Sequence, residues 1–346
     1  MKKDEKISVG ISVGDLNGIG PEIIIKAYED PRTLELSTPV IFASSKTMQF
    51  FKNHFNSKIN FFNIDQPEKM VHGKVNVVNV WKEPVKIEFG KSDPKIGEYA
   101  IKSLEAATKA LKDGVIDVLV TAPINKNNIQ SNKFNFPGHT DYLAKALDGK
   151  SLMFMVSEDL RVGLLTDHVP LKDISNHITE QLINEKIETV TKSLKQDFSI
   201  RKPKIAVLAI NPHAGDNGVI GNEDDTVLRP TLDKIKSEDN LVYGPYSADS
   251  FFGSGNYKSF DAVIASYHDQ GLIPFKTIAF GNGVNYTAGL SKVRTSPDHG
   301  TAYEIAGKGV ADESSFNQAI QLAVQVFRNR KIYQKFSKNP LKKALK

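Results

Sequence analysis

The chain has 346 residues, of which 40% are hydrophobic and 25% are charged, and its formal net charge is +5. This balance is typical of a folded enzyme of one or two domains and argues against a disordered protein. The absence of cysteine excludes disulfides, thiolate metal sites and a cysteine nucleophile. Any transition metal must therefore be held by histidine and carboxylate side chains.

The charged residues give no sign of a nucleic acid or membrane partner. The basic side chains are scattered, and the one dense stretch, Arg328 to Lys346, is typical of a solvated helix face. The N-terminus is basic but has no apolar stretch of signal-peptide length, and no segment is long and apolar enough to span a membrane. We therefore expect a cytoplasmic protein.

Short runs rich in β-branched residues recur along the chain and are separated by stretches with helical periodicity. The runs are ISVGISV from Ile7, VIFAS from Val40, VNVVNV from Val75, VIDVLVTAP from Val115, RVGLLTDHVP from Arg161, KIAVLAINPHAG from Lys204 and DAVIASYHDQG from Asp261. Such runs are typical of strands in a parallel sheet that helices cover on both faces. Gly97–Leu111 and Ile178–Leu194 have the spacing of amphipathic helices. The alternation predicts an α/β fold.

Several of these runs end in polar residues and turn formers. They are Gly14–Asp15, Thr121–Pro123, Thr166–His168, Asn211–His213 and Tyr267–Asp269. Ligands of open parallel sheets bind beyond the carboxyl ends of the strands. We therefore expect these strand ends to line one cleft.

Three of the strand ends carry a histidine, namely His168, His213 and His268. Each alone is consistent with a histidine that is hydrogen-bonded at the start of a loop, but together they can supply imidazole ligands to one divalent ion. The neighbouring Asp167 and Asp269 can orient the imidazoles or bind the ion themselves. Such an ion would activate an alcohol for oxidation or a water for hydrolysis, so the histidines alone do not select the reaction.

A second feature is the stretch FPGHTD, which ends at Asp141 and precedes a helical pattern over Tyr142–Leu147. Thr140 or Asp141 is consistent with a simple N-cap of that helix. A helix start is also suited to anion binding, because its backbone N–H groups and its dipole favour phosphate. The two interpretations are compatible.

Three polar residues near the C-terminal part of the chain also suit an anionic ligand. Lys276, Asn285 and Arg294 are able to grip a phosphate and a carboxylate, although each is also consistent with ordinary surface charge. The polar, small residues of Ser296–Gly309 permit close approach of the backbone to a ligand, or form a turn before a helix that begins near Thr301. No GxGxxG motif follows a strand, so a Rossmann-type dinucleotide site is not supported.

Six motifs carry a family resemblance. They are GDLNGIGPE (Gly14–Glu22), TAPINK (Thr121–Lys126), PGHT (Pro137–Thr140), NPHAG (Asn211–Gly215), YHDQG (Tyr267–Gly271) and RTSPDHGTA (Arg294–Ala302). In order and type they resemble the signature segments of the 4-hydroxythreonine-4-phosphate dehydrogenase family. The chain departs from the usual pattern at Leu16-Asn17, Ser291-Lys292 and Pro297, none of which is a metal or phosphate position.

The resemblance implies a fold similar to isopropylmalate and isocitrate dehydrogenases. That fold has two α/β/α lobes with mainly parallel sheets, a cleft between them and a homodimer that shares its active site. The lobes would be discontinuous, with approximate ranges of 1–125 plus 285–346 and 126–284.

The resemblance also assigns roles to individual residues. The metal ligands would be His168, His213 and His268, at least one of them from the partner subunit, and the acidic groups Asp249 and Asp269 would serve catalysis. The substrate contacts would be His139, Thr140, Lys276, Asn285 and Arg294. Asp298, His299, Gly300 and Thr301 would bind the cofactor, because HGTAYEIAGKG is similar to the adenosine-contacting stretch of the decarboxylating dehydrogenases.

The implied reaction uses NAD, with NADP possible, and one Zn, Mg, Co or Mn ion. It oxidises 4-phosphohydroxy-L-threonine to 2-amino-3-oxo-4-(phosphonooxy)butanoate, which decarboxylates to 3-amino-2-oxopropyl phosphate in pyridoxal phosphate biosynthesis. Dehydrogenation of 4-phospho-D-erythronate or 4-phospho-D-threonate is the first alternative. A phosphate acyltransferase, which needs no histidine triad, and a non-catalytic phosphate-binding module are the others.

Overall fold

The computed structural model describes residues 6–131, 134–136, 138–237 and 239–339. Pro137 of the PGHT motif and the basic residues beyond position 339 lie outside these ranges. The strands are β1 (Ile7–Ser12), β2 (Ser37–Ala43), β3 (Phe61–Ile64), β4 (Val75–Asn79), β5 (Val118–Thr121), β6 (Leu152–Val156), β7 (Arg161–Leu164), β8 (Lys204–Leu208), β9 (Leu241–Tyr246), β10 (Ala262–Ala265), β11 (Val284–Ala288) and β12 (Val293–Pro297).

The α-helices alternate with these strands over much of the chain. They are α1 (Gly20–Ala27), α2 (Thr33–Leu36), α3 (Ser45–His54), α4 (Pro94–Lys112), α5 (His139–Ala146), α6 (Ile174–His177), α7 (Glu180–Gln196), α8 (Arg229–Ile235), α9 (Ala248–Gly253), α10 (His268–Ile278) and α11 (Ser314–Ser337). Among the helices of the described ranges, none combines the length and the apolar character that a membrane crossing requires.

The chain forms two compact units. The first comprises the described residues of Met1–Ser151 and Gly281–Val324, and the second comprises those of Leu152–Phe280 and Gln325–Lys346. The sequence of α11 is therefore divided between the units. The two-lobe division at residues 125 and 285 that the sequence suggests remains a prediction.

In the first unit the strand order is β3-β4-β2-β1-β5-β12-β11, and neighbouring strands are parallel except for the β12–β11 hairpin. All six residues of the central strand β1 are buried, as expected for a strand covered on both faces. Ser103 of α4 donates a hydrogen bond to the carbonyl of Phe42 (2.5 Å) and accepts one from the backbone N–H of Val13 (3.0 Å). These bonds satisfy buried backbone groups at the ends of two strands.

In the second unit the strand order is β6-β7-β10-β8-β9, and neighbouring strands are parallel except for β6 with β7. Val162 and Val263 on adjacent strands pack with Phe275 of α10 in the core of this unit. Arg330 of α11 forms a buried ion pair with Asp197, which directly follows α7 (2.6 Å). The mainly parallel sheets of both units confirm the predicted α/β class.

One predicted helix is wrong. The sequence pattern allowed a helix to begin near Thr301, but turns follow β12 and the next helix, α11, begins only at Ser314. Gly307 and Gly309 have φ angles of +77° and +72° in this stretch. Left-handed residues cannot continue a right-handed helix, so the stretch stays irregular.

Candidate active-site residues

Two of the predicted metal ligands lie side by side in the second unit because they follow adjacent parallel strands. Leu164 of β7 is paired with Ala265 of β10, and the segments that follow the two strands remain hydrogen-bonded to each other. The backbone N–H and the hydroxyl of Thr166 both donate to the carbonyl of Ser266, at 3.2 and 2.7 Å. The imidazoles of His168 and His268, two residues further along each chain, consequently have centroids 6.0 Å apart.

These two imidazoles fit a divalent ion. The Nδ1 of His268 is hydrogen-bonded to Oδ1 of Asp269 (2.7 Å), which leaves Nε2 as the nitrogen available for a metal. Two imidazoles on one tetrahedral ion have centroids roughly 5 Å apart, given metal–nitrogen bonds of about 2 Å. The observed 6.0 Å separation of the His168 and His268 rings is therefore near that of a ligand pair.

The third predicted ligand, His213, lies on an unusual loop after β8. Six consecutive residues from His213 to Gly218 have positive φ angles. The buried carboxylate of Asp224 fixes the start of this loop, because it accepts the backbone N–H groups of Ile210 (2.8 Å) and Asn211 (2.9 Å). In the described residues, no three His, Cys, Asp or Glu side chains form a ready metal site. The three-histidine ligand set therefore stays a prediction.

Asp249 is the second acidic residue predicted beside the histidines, after Asp269. Asp249, in the first turn of α9, accepts a hydrogen bond from the hydroxyl of Ser247 (2.6 Å), and this bond lowers the pKa of its carboxyl. The nearby His213 imidazole is a minor further cause of this lowered pKa. Asp249 is therefore ionised at neutral pH and is suited to orient a cation or an imidazole. Lys276, in the last turn of α10, is exposed.

In the first unit, Arg294 of β12 carries a buried charge that has no carboxylate partner within the described residues. The side chain is 2% exposed. Its Nε and Nη2 donate to the hydroxyl oxygen of Thr121 (3.2 and 2.6 Å), and Nη1 donates to that of Thr287 (3.0 Å). Burial lowers the pKa of Arg294 to about 9, so the guanidinium keeps its proton at neutral pH. A buried cation without a counter-charge favours an anionic ligand.

His139 lies beside this cation. Burial, followed by the charges of Arg294 and Lys126, lowers the pKa of the His139 imidazole well below its ordinary value, so the ring is neutral at pH 7. The Nε2 atom is buried and has no hydrogen-bond partner in the part of the chain that is described. An unsatisfied buried nitrogen of this kind is consistent with a ligand that supplies the missing bond.

The β11–β12 hairpin adds Asn285 to the same face. Asn285 is paired with Ser296, and alternate residues along each strand point to the same side, so Asn285 and Arg294 share a face of the hairpin. The Oδ1 of Asn285 is buried and lacks a partner among the described residues. Two of the buried unsatisfied polar atoms of the first unit thus belong to residues predicted to contact an anionic substrate.

The start of α5 corrects one expectation. Neither Thr140 nor Asp141 is an N-cap, because the helix begins at His139 and Gly138 occupies the cap position without a side-chain bond. Thr140 is half-buried in the first turn of the helix. A helix start that no side chain caps leaves its N–H groups available to an anion, which agrees with the alternative interpretation of this stretch.

Three residues of this region were not among the predicted substrate contacts: Thr121, Thr287 and Lys126. Thr121 ends β5 and Thr287 lies two residues after Asn285, so both occupy positions where strand periodicity directs them toward Arg294. Lys126 belongs to the TAPINK motif, and its side chain lies close to Gly138 at the start of α5. Of the three, only Thr121 was marked in the sequence, as a polar residue at the end of a predicted strand.

The predicted cofactor segment follows β12. The backbone N–H of Asp298 donates to the hydroxyl of Ser315 (3.1 Å), and the carbonyl of Thr301 accepts the N–H of Ile19 (3.0 Å). A Cβ on Gly18 would lie 2.8 Å from that Thr301 carbonyl oxygen, so this close approach requires glycine. The segment Asp298–Thr301 is thus held against the turn of the GDLNGIGPE motif.

Comparison with known proteins gives a consistent set of relatives. Residues 35–323 match the family model described as pyridoxal phosphate biosynthetic protein PdxA. A 4-hydroxythreonine-4-phosphate dehydrogenase of Bacteroides thetaiotaomicron is 48% identical over 343 residues, which cover 99% of this chain and 94% of the relative. A relative from Oceanobacillus iheyensis, which carries the provisional name D-threonate 4-phosphate dehydrogenase, is 34% identical, with 93% of this chain and 98% of that protein covered.

A solved structure gives the same result. The 4-hydroxythreonine-4-phosphate dehydrogenase from Klebsiella pneumoniae has a TM-score of 0.80 to this chain at 30% sequence identity. The match covers 94% of this chain and 99% of that one. The likeness therefore extends over nearly the whole of both proteins.

Replacing Arg294 with methionine should weaken anion binding without destabilising the fold. The variant loses the two N–H groups of Arg294 that the threonines leave for a ligand, so we expect the affinity for inorganic phosphate in calorimetry to fall by about tenfold to a hundredfold. Because a buried unpaired charge is also removed, the thermal midpoint should stay equal or rise. Arg161→Met, which removes a half-buried arginine of the second unit, is the control and should keep phosphate affinity. Unchanged phosphate binding in Arg294→Met would exclude the anion site.

The depressed pKa of His139 predicts a pH-dependent stability. Below a pH of about 6.5 the unfolded chain binds a proton at this position that the folded chain rejects, so the free energy of unfolding falls as the pH decreases. His139→Gln should lose part of this decrease when urea unfolding at pH 7.5 and 5.5 is compared in phosphate-free buffer. His177→Gln, at an exposed histidine, is the control. An equal decrease in wild type and His139→Gln would show that the ring is not held neutral.

Proposed function

Because the chain belongs to the family of pyridoxal phosphate biosynthetic protein PdxA, we propose that it is an NAD-dependent 4-hydroxythreonine-4-phosphate dehydrogenase. It would oxidise the C3 alcohol of 4-phosphohydroxy-L-threonine to 2-amino-3-oxo-4-(phosphonooxy)butanoate. This product is a β-keto acid, and its loss of carbon dioxide gives 3-amino-2-oxopropyl phosphate. The observation that carries the proposal is the buried guanidinium of Arg294, which lacks a carboxylate partner among the described residues and lies beside His139.

The residues of the first unit would bind the anionic groups of the substrate. Arg294 is held by two threonine hydroxyls in a fixed orientation, so its remaining N–H groups suit a bidentate contact with phosphate or carboxylate. His139 would donate or accept through its unsatisfied Nε2, Thr140 would offer a hydroxyl, and Asn285 would contribute its buried amide. Lys276 of the second unit would supply a further cation. Contacts of this kind restrict the reacting carbon to one orientation.

The histidines of the second unit would hold a divalent ion. An ion of the Zn, Mg, Co or Mn class, when bound by His168, His213 and His268, supplies Lewis acidity to the alcohol and later to the ketone. Asp269 fixes the ring of His268 through the hydrogen bond to Nδ1. Asp249 is ionised and lies near His213, which suits it to orient that imidazole or to accept the proton of the alcohol.

NAD would bind at Asp298–Thr301. This stretch is irregular and packs on a glycine turn, so its backbone groups lie within reach of a ligand. We propose NAD in preference to NADP, because no cluster of arginines suited to a 2′-phosphate is near His299 in the sequence. We also propose a cytoplasmic location for this reaction, where NAD is supplied.

Oxidation of a phosphorylated D-threonate is the second candidate. The relative from Oceanobacillus iheyensis favours it, because its name assigns that substrate and it covers nearly the whole chain. The two substrates share the phosphate, the carboxylate and the secondary alcohol, and differ in the amino or hydroxyl group at C2 and in its stereochemistry. A phosphate acyltransferase is disfavoured, since the relatives described above are dehydrogenases.

A homodimer is proposed together with the activity. Large apolar side chains are exposed on the segments that carry two predicted metal ligands: Ile273 on the helix of His268 is 64% exposed, and Val219 beyond His213 is 81% exposed. Phe280, two residues after the end of α10, is 85% exposed. Exposed apolar surface near a functional site is typical of a subunit interface. A second copy of this chain would cover it.

The first test of the proposed activity is NADH formation from 4-phosphohydroxy-L-threonine, followed by absorbance. We expect turnover that a chelator abolishes and that added divalent ion restores, and we expect kcat/KM for this substrate to exceed that for 4-phospho-D-threonate by at least tenfold. His213→Ala should lose ion binding and activity, whereas His177→Gln, outside the predicted ligand set, should keep both. NADH formation by metal-free His213→Ala at the wild-type rate would contradict the metal role. A reversed substrate preference would favour the second candidate.

The dimer is tested by replacing Phe280 with aspartate. A charge in a buried apolar interface weakens association, so we expect the dissociation constant from analytical ultracentrifugation to rise at least tenfold. Leu171→Asp, at another exposed apolar residue of the second unit, is the matched control and should leave association unchanged. A monomeric wild-type protein with full activity would rule out a shared active site.

A further inference from the structure

A buried carboxylate connects three separate segments of the first unit. The side chain of Asp15 is 1% exposed. Its Oδ2 accepts hydrogen bonds from the hydroxyl of Tyr303 (2.8 Å) and from Nδ2 of Asn128 (3.1 Å), while Oδ1 accepts the backbone N–H of Asn17 (2.9 Å). The Nδ2 of Asn128 also lies 3.1 Å from the Tyr303 hydroxyl, so the three side chains form a closed triangle.

The backbone of Asp15 is fixed as firmly as its side chain. Its N–H donates to the carbonyl of Pro123 (2.8 Å) in the TAPINK segment. Gly14 has a φ of +69°, and a Cβ at this position would lie 2.2 Å from the same carbonyl oxygen. Only glycine permits this approach. The carboxylate therefore has a defined position relative to the segment that carries Thr121 and Lys126.

No cationic side chain in the described part of the chain is paired with the Asp15 carboxylate. Burial raises the pKa of the Asp15 carboxyl, and burial together with the nearby carboxylate raises the pKa of the Tyr303 hydroxyl. A buried carboxyl with only neutral donors costs stability relative to an apolar contact of the same shape. The Oδ1 of Asn128 is also engaged, by the hydroxyl of Ser92 (2.6 Å). Such a network fixes the positions of its side chains and adds little stability.

The segment that Tyr303 belongs to depends on contacts of this kind. The stretch from Asp298 to Gly309 contains turns but no regular helix or strand beyond β12. Its backbone groups are held at Thr301 by Ile19 and at Gly307 by the imidazole of His54 (2.8 Å). Tyr303 lies between these two points. An irregular segment has the conformation that its side-chain anchors impose.

We propose that Asp15 and Asn128 are positioning residues that hold Tyr303, and through it the segment Asp298–Gly309, in the orientation that binds the dinucleotide. This inference rests on the proposed function, because it requires NAD to bind at that segment. The carboxylate acts through the tyrosine and need not touch the cofactor. It also gives the cofactor segment a fixed position relative to the TAPINK loop, whose Thr121 contacts Arg294.

The test compares two tyrosine variants that each lose one hydroxyl. In Tyr303→Phe we expect the Kd for NADH, measured by fluorescence, to rise about tenfold, while the Kd for inorganic phosphate at the Arg294 site changes less than twofold. Tyr28→Phe is the matched control, because its buried hydroxyl has no partner in the described residues. It should leave both constants unchanged.

A second variant separates positioning from a loss of folding. Asp15→Asn keeps an acceptor for the tyrosine hydroxyl but loses the acceptor for the backbone N–H of Asn17, so we expect a lowered thermal midpoint with a rise in the Kd for NADH smaller than that of Tyr303→Phe. Wild-type affinity for NADH in Tyr303→Phe would overturn the positioning role alone. Equal losses of NADH and phosphate affinity with a lowered midpoint would show a purely structural network. Absence of NADH binding to the wild-type protein would overturn the proposed function as well.

Discussion

A single buried charge organises the first unit. The guanidinium of Arg294 lies in the middle of three adjacent strands and is held by hydroxyls from the strands on either side, Thr121 of β5 and Thr287 of β11. Neutral hydroxyls orient a cation without neutralising it. The strand order β5-β12-β11 therefore places a buried cation between two neutral hydroxyls, and the predicted anion site depends on this arrangement.

The second unit follows a different physical rule. Because β7, β10 and β8 are parallel, the segments that follow these strands leave the sheet at the same edge. His168 and His268 are therefore neighbours, although they are distant in the sequence. His213 depends on more than strand order. Its position follows from a left-handed loop and from the carboxylate of Asp224, which grips the backbone before the loop begins.

These differences explain what the sequence could predict. Apolar runs with polar ends marked the strands and the histidines, because that pattern reflects burial within a few residues. The strand-end pattern marked Thr121 as polar but did not pair it with Arg294, which is 173 positions away, because strand order has no local signal. The start of α5 was misjudged because a glycine, without a capping side chain, precedes it. The helix considered near Thr301 does not form, because Ala302, directly after Thr301, has a left-handed φ of +44°, as have Gly307 and Gly309 further on.

The left-handed loop at His213 has a conformational cost that arises on folding and not on ligand binding. Non-glycine residues in this conformation cost roughly 1–2 kcal/mol each, and His213, Ala214, Asp216 and Asn217 are all of this type. That cost is met when the chain folds and not when a ligand arrives. The backbone that carries His213 is therefore ordered before any ligand arrives, and the proposed role of this imidazole as a metal ligand would need little loop rearrangement.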